Sequence, residues 1–242
     1  IESAHANEVW AAEPETIDAQ SEVLALLVEH LPRHFPEIYR SDGAAMRVAG
    51  QAVPLDGDAP LKVASRLVQE DLVLMRRGEI GWRLAAASLC FPSGWNLTEK
   101  FGRPIHEIHA PVPAFGPHTR NAELIARMFD NLKPETGMLR WNWSIHPAGT
   151  LFRPAIPGML VFGPQTFLRV ERQTLRRLPQ SGDILFTIRI YAEPIEAIAR
   201  QANAREIAAG LVGHLQALDA SQLDYKGMTG ARDEVVRRLE AL

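Results

Sequence analysis

Residues 91–113 read FPSGWNLTEKFGRPIHEIHAPVP, and this stretch limits the fold more than any other. Pro92, Pro104, Pro111 and Pro113, with Gly94 and Gly102, interrupt it every few residues. Proline removes a backbone donor and fixes φ, so neither a long helix nor a central strand can pass through. The segment must be turns and one-turn helices, a common way to mount functional side chains. Asn96 is a good N-cap, and Glu99 three residues on completes a capping-box pattern that Gly102 ends. Pro104 suits the first position of a second short helix, which Pro111 closes. His106 and His109 are three apart on that turn and share one face.

The flanking chain is more regular. Residues 1–20 are polar and unpatterned and read as a flexible arm. Ser21 caps a helix in which Val23, Leu24, Leu27, Val28 and Leu31 recur at helical spacing until Pro32 and Pro36. Residues 40–60 carry turn signals, with one short extended piece at Met46–Val48. A second helix is expected from Leu61, with Leu61, Ala64, Leu67, Val68, Leu72 and Met75 on its inner face and Glu70 and Asp71 on a solvated one. Arg76–Gly78 then turns the chain. Ile80–Phe91 is nearly all apolar, as in a strand buried on both faces, and its alanines leave room for something bulky. Cys90 reads there as a small buried hydrophobe.

After the interrupted stretch a helix is expected over Asn121–Leu132. Leu139–His146 alternates: Leu139, Trp141, Trp143 and Ile145 on one face, Arg140, Asn142, Ser144 and His146 on the other. Phe167–Leu178 and Ile184–Glu193 flank PQSGD and read as a hairpin. If Pro179 faces Asp183, Glu171 lies opposite Tyr191 on one face, a grouping that a one-residue slip breaks. Helices end the chain, the last over Asp233–Leu242. The order predicts an α+β fold: one antiparallel sheet with helices packed on it. Residues 21–242 then form one domain, with helical extensions at 21–75 and 196–242.

Composition narrows the function. Hydrophobic residues make up 46% and charged ones 23% of the 242, as in an ordinary soluble globular protein. A net charge of −3 argues against a nucleic-acid binder that relies on bulk positive charge. The single cysteine rules out an intrachain disulfide framework. With no apolar run of the roughly 18 residues a membrane span needs and no signal-peptide pattern, the expected location is cytoplasmic. Ile1 in place of Met points to a trimmed or processed start. There is no GxGxxG after a strand, no GxxxxGK[ST] and no GxSxG. His106-Glu107-Ile108-His109 is one residue short of the zinc-binding HExxH. Of the eight histidines, His5, His30, His34 and His214 read as surface or capping residues. His109 lies against apolar neighbours and is either a turn histidine held by a hydrogen bond or a ligand.

The blocks GWRLAAASLCFPSGWNLTEKFGRPIHEIHAPVP, RWNW and LRVERQTLRRLPQSGDILFTIRIY, with LVQEDL and YKG, resemble the haem subunit of haem-dependent oxidative N-demethylases. The resemblance covers most of the chain from about residue 21. It implies a haem b protein on a PAS-like fold that demethylates a secondary amine such as dimethylamine. Oxygen is consumed, formaldehyde is released, and electrons come from NADPH through a separate flavin and iron–sulfur reductase. The family's IHxPVP block matches Ile108–Pro113, which makes His109 the expected iron ligand, ahead of His146, His118 and His106. The resemblance also makes the Ala85–Ala87 strand a wall beside the porphyrin. Lys100, Arg140 and Asn142 are candidates for the haem propionates, with Trp95 as a packing wall. Glu171 and Tyr191 are candidates for receiving the amine. Arg172, Arg176, Arg177 and Arg189 suit cross-strand salt links or a docking surface for an acidic electron donor. A non-catalytic haem sensor and a metal-free small-molecule-binding domain are the alternatives.

Overall fold

The structure is a computed structural model that describes residues 1–155 and 160–242. In chain order the elements are α1 (Ala6–Val9), β1 (Trp10–Ala12), α2 (Ile17–His34), β2 (Tyr39–Ser41), β3 (Ala45–Val48), β4 (Gln51–Pro54), α3 (Pro60–Ser65), β5 (Asp71–Gly78) and β6 (Gly81–Ser88). Then come α4 (Leu97–Lys100), α5 (Ile105–Ile108), α6 (Arg120–Asn131), β7 (Met138–His146), β8 (Phe167–Arg177), β9 (Ile184–Pro194), α7 (Ala204–Ala217), α8 (Ala220–Tyr225) and α9 (Arg232–Glu240). The main sheet has six strands in the order β1-β6-β5-β9-β8-β7, every neighbouring pair antiparallel. Strands β2, β3 and β4 form a separate small sheet. The fold is α+β, as the element order predicts.

Alternation along the strands gives the sheet two differently covered faces. On one, Val73, Met75, Leu84, Ala87, Ile184 and Ile188 pack beneath Leu97 of α4 and Phe129 of α6. On the other, Leu72, Leu74, Ala86 and Leu185 pack against Ala19 and Val23 of α2 and Leu61 and Ala64 of α3. The C-terminal helices cover the far end of that second face, where Ile145 meets Leu215, Val235 and Leu239.

Several expectations need correction. The first helix is not capped by Ser21 or ended by Pro32: α2 already starts at Ile17 and runs through Pro32 to His34. The helix expected from Leu61 stops at Ser65, and Asp71–Gly78 is instead the central strand β5. Its first five residues, Asp71–Met75, are all buried, with Leu72 and Leu74 facing α2 and Val73 and Met75 facing α4 and α6. A strand buried on both faces has no polar side to reveal its period, so three- and four-residue spacings arise by coincidence. Asp71 is therefore 2% exposed, not solvated. The helical extension expected over 21–75 holds four strands of its own.

Residues 1–20 are not an arm. Trp10, Ala11 and Ala12 pair with Ser88, Ala87 and Ala86, and Val9, Thr16 and Ala19 have no exposure. Ala86 packs against Ala19 and Val23 of α2, whereas Ala87 faces the α4–α6 side of the sheet. The hairpin register is also one residue off the expected one. Leu178 N donates to Asp183 O at 2.8 Å, so four residues form the loop and Gly182 takes a left-handed φ of 73°. Glu171 consequently faces Ile190, and Val170 faces Tyr191. Glu171 and Tyr191 lie on opposite faces of the sheet.

Candidate functional site

The interrupted stretch forms the two short helices expected, but Glu99 closes no capping box and Pro104 is the N-cap of α5 rather than its first residue. The Asn96 side chain accepts from Thr98 N at 2.9 Å and starts α4, whose last residue is Lys100. Segment 102–104 then hooks onto β6, with Gly102 N donating to Leu84 O at 2.9 Å and Leu84 N to Arg103 O at 3.2 Å. This fixes where α5 begins. Trp95, Phe101, Ile105 and Ile108 pack, partly buried, against the core under α4–α6.

His109 follows α5 directly. Its Nδ1 lies 2.9 Å from Ile105 O, and a carbonyl only accepts, so Nδ1 carries the proton. Nε2 keeps its lone pair. Burial holds the imidazole below its ordinary pKa; the Ile105 hydrogen bond opposes this, and Arg140 and Lys100 reinforce it. The structure thus brings together three residues named from sequence: a neutral histidine and the two cations that act on it. Phe115 flanks the ring, with centroids 5.7 Å apart.

The same face of β7 and β8 carries a polar network. Glu171 accepts from Asn142 at 3.3 Å, Gln173 at 2.9 Å and Arg169 at 3.2 Å. Arg169, 2% exposed, also donates to Phe91 O at 2.5 Å and Leu151 O at 3.4 Å. Asp71 accepts from Cys90 N at 2.6 Å and Phe91 N at 3.2 Å, and burial pushes its pKa up to about 7. Tyr225 and Lys226, at the end of α8, come close enough for Glu171 to bear on both. His146 is buried beside Ser144 Oγ (2.8 Å) and Ser93 Oγ (3.4 Å), and its Nδ1 has no partner among the described residues. Burial, then Arg153, Arg169 and Lys226, push its pKa down to about 3.

Several residues fall outside this group. Tyr191 points from the opposite face, and His118 is exposed at a φ of 63°. Cys90 is half-buried, and burial and Asp71 push its thiol up to about 11, which leaves it unreactive. Sequence reasoning missed Arg169 and placed Asp71 on a solvated face, although both are buried. Arg169 carried a signal, a charge directly after the apolar pair Phe167–Leu168 and before Val170; Asp71, next to Glu70 at the head of DLVLM, was masked by its acidic neighbour.

Among the described residues no three His, Cys, Asp or Glu side chains converge as a protein-built metal cage requires. A porphyrin iron needs only one such ligand, with the other ring nitrogen pinned, and His109 has that form. No helix among the described residues is long and apolar enough to cross a membrane.

The sheet and its short covering helices define an α+β domain that holds one pinned histidine at the end of α5. The chain belongs to the family described as haem-dependent oxidative N-demethylase, alpha subunit-like, whose model matches residues 1–236. Membership makes it a haem-dependent oxidoreductase in kind, and an alpha subunit implies a partner subunit.

Proposed function

We propose that this chain binds haem b through His109 and oxidatively demethylates a small secondary amine resembling dimethylamine. The amine, O2, two electrons and two protons give the primary amine, formaldehyde and water. The electrons come from NADPH through a separate flavin and iron–sulfur reductase. The observation that carries this reading is the hydrogen bond from His109 Nδ1 to Ile105 O, which leaves Nε2 as a neutral, oriented donor. The sheet supports a PAS-like description: β5, β6, β7, β8 and β9, taken as strands one to five, lie in the order 2-1-5-4-3 with the short helices between two and three.

When bound, haem supplies dioxygen activation. This chain's residues do the rest. Arg140 and Lys100 bear on His109 and would pair with the propionates, with Asn142 as a further donor and Trp95 as an apolar wall. Glu171, held by three donors and 14% exposed, presents a fixed carboxylate toward which a protonated amine orients. Arg169 sets its position.

The visible spectrum of protein expressed with adequate haem tests the first half. A Soret band is expected, and His109→Ala should shift the ferric spectrum; no Soret band, or an unchanged one in the variant, defeats the assignment. Formaldehyde release from dimethylamine with oxygen and an artificial reductant tests the second half. Haem without turnover would make the chain a sensor or carrier.

A further inference from the structure

The face of β7–β9 turned away from the site is only partly covered. Trp143 and Ile145 of β7 lie under the C-terminal helices, but Leu139 and Trp141, on the same face of the same strand, are each 56% exposed. Across the sheet from Trp141 the register places Arg172 and then Arg189. Two arginines directly opposite one another repel, and such a pair costs stability unless an anion answers it. The only carboxylate within salt-bridge distance of either, among the described residues, is Glu70, 3.9 Å from Arg189. In the next row Tyr191 is 45% exposed, with the Arg189 guanidinium 5.6 Å from its ring.

Lone exposed apolar side chains are ordinary, but this group is contiguous and its composition is specific. Tryptophan, tyrosine and arginine are the residues that dominate binding energy at protein interfaces. An arginine pair met by one carboxylate at 3.9 Å, on a chain of net charge −3, also sets the sign of what fits there. A second copy would bring a further arginine pair against the first, so self-association is disfavoured.

We infer that Trp141, Tyr191, Arg172 and Arg189, with Leu139, form a docking surface for an acidic electron-donor protein. The assignment of what that partner delivers rests on the function proposed above; the surface itself does not. Strand β7 serves both ends of the transfer. Arg140 and Asn142 face the site, and Leu139 and Trp141 face the partner, one sheet thickness away. The partner's carboxylates would answer the arginine pair, and its apolar contact would cover the two aromatic side chains.

The test uses a plant-type ferredoxin, a small acidic iron–sulfur protein, as the probe. Binding to the immobilised chain is measured by biolayer interferometry at low and high salt. The Soret band of each preparation is recorded separately, so failure of the haem reading and failure of docking are told apart. Saturable binding that weakens with salt is expected, with about tenfold or greater loss in Arg172→Glu/Arg189→Glu and in Trp141→Ser. Arg127→Glu and Arg205→Glu, at exposed sites elsewhere, should bind as wild type does. All five substituted positions lie at the surface or half-buried, and thermal melts check that each variant is folded. The inference is overturned by no binding, by binding indifferent to the Trp141 and arginine changes, or by equal losses in the remote variants. It is also overturned if sedimentation finds a dimer that Trp141→Ser converts to monomer, since a second copy would then be the occupant.

Discussion

Arg169 and Asp71 hold Phe91 from its two ends: the guanidinium donates to the Phe91 carbonyl at 2.5 Å, and the carboxyl accepts from the Phe91 N–H at 3.2 Å. Both side chains are 2% exposed. They come from β8 and β5, strands that flank β9, and they fix the point at which the chain leaves β6 for the interrupted stretch. That anchor sets where the interrupted stretch begins, and the hook of 102–104 onto β6 sets where α5 follows.

Removing Arg169 should therefore cost more than an ordinary surface arginine would. Arg169→Leu strips a donor from the partly buried Glu171 carboxylate and from the Phe91 and Leu151 carbonyls, and removes the buried cation beside Asp71. Breaking one side of a buried ionic network costs about 3–5 kcal/mol. Urea unfolding measures it, and a loss below about 1 kcal/mol would mean that water already serves these groups.

Asp71 should make stability depend on pH. Its folded pKa of about 7 lies above the ordinary carboxyl value of 3.8, so the folded state holds a proton that the unfolded state releases between them. That contribution is complete below pH 3.8 and is lost as pH rises through 7. Compared with Asp71→Asn, the wild type should lose a few kcal/mol from pH 4 to 8, at about 1.4 kcal/mol per pKa unit. Taking the difference cancels His146, whose depressed pKa works in the opposite sense and is common to both proteins. Thermal melts over this range would return a flat difference if the carboxyl ionises freely.

The cap on α4 carries its own cost. Asn96→Ala removes the acceptor for Thr98 N and should destabilise by about 1 kcal/mol, whereas Asn96→Gly should lose only a few tenths. Chemical denaturation of the pair distinguishes the lost cap from a general disturbance, which would strike both variants alike.

If Glu171 orients the amine, Glu171→Gln should raise KM for dimethylamine about tenfold while the Soret band stays in place. Tyr191→Phe, on the other face, should leave KM unchanged when an artificial reductant supplies the electrons. Steady-state formaldehyde release measures both, and equal behaviour of the two variants would remove Glu171 from amine binding.

Much of this arrangement was legible before any coordinates. Alternation placed β7, β8 and β9, and the prolines and capping residues located α4 and α5. The failures share a cause. Helical and strand periods are read from contrast between buried and solvated positions, and β5 and β6 are buried on both faces. Residues 1–20 failed for the converse reason, since three short strand residues among polar neighbours carry no period. The hairpin register turned on whether the loop closes at Leu178 or Pro179, a one-residue difference that no composition reveals. The pairing of His109 with its carbonyl was foreseeable from its place at the end of a turn. The Asp71–Phe91–Arg169 anchor joins residues 98 apart in the chain, and only the fold brings them together.

The outer side of β6 is fully occupied. Strand β1 pairs with Ala86–Ser88, Glu13 N donates to Ala85 O, and segment 102–104 takes Arg83 and Leu84. At the other end of the sheet, β7 pairs only with β8 among the described residues. A filament built by strand addition needs two free edges per subunit, and the two edges here are unequal: β7 has nine residues and β1 three. Only β7 is long enough to template an added strand, so pairing of two copies through β7 leaves just the three-residue β1 edges at the ends.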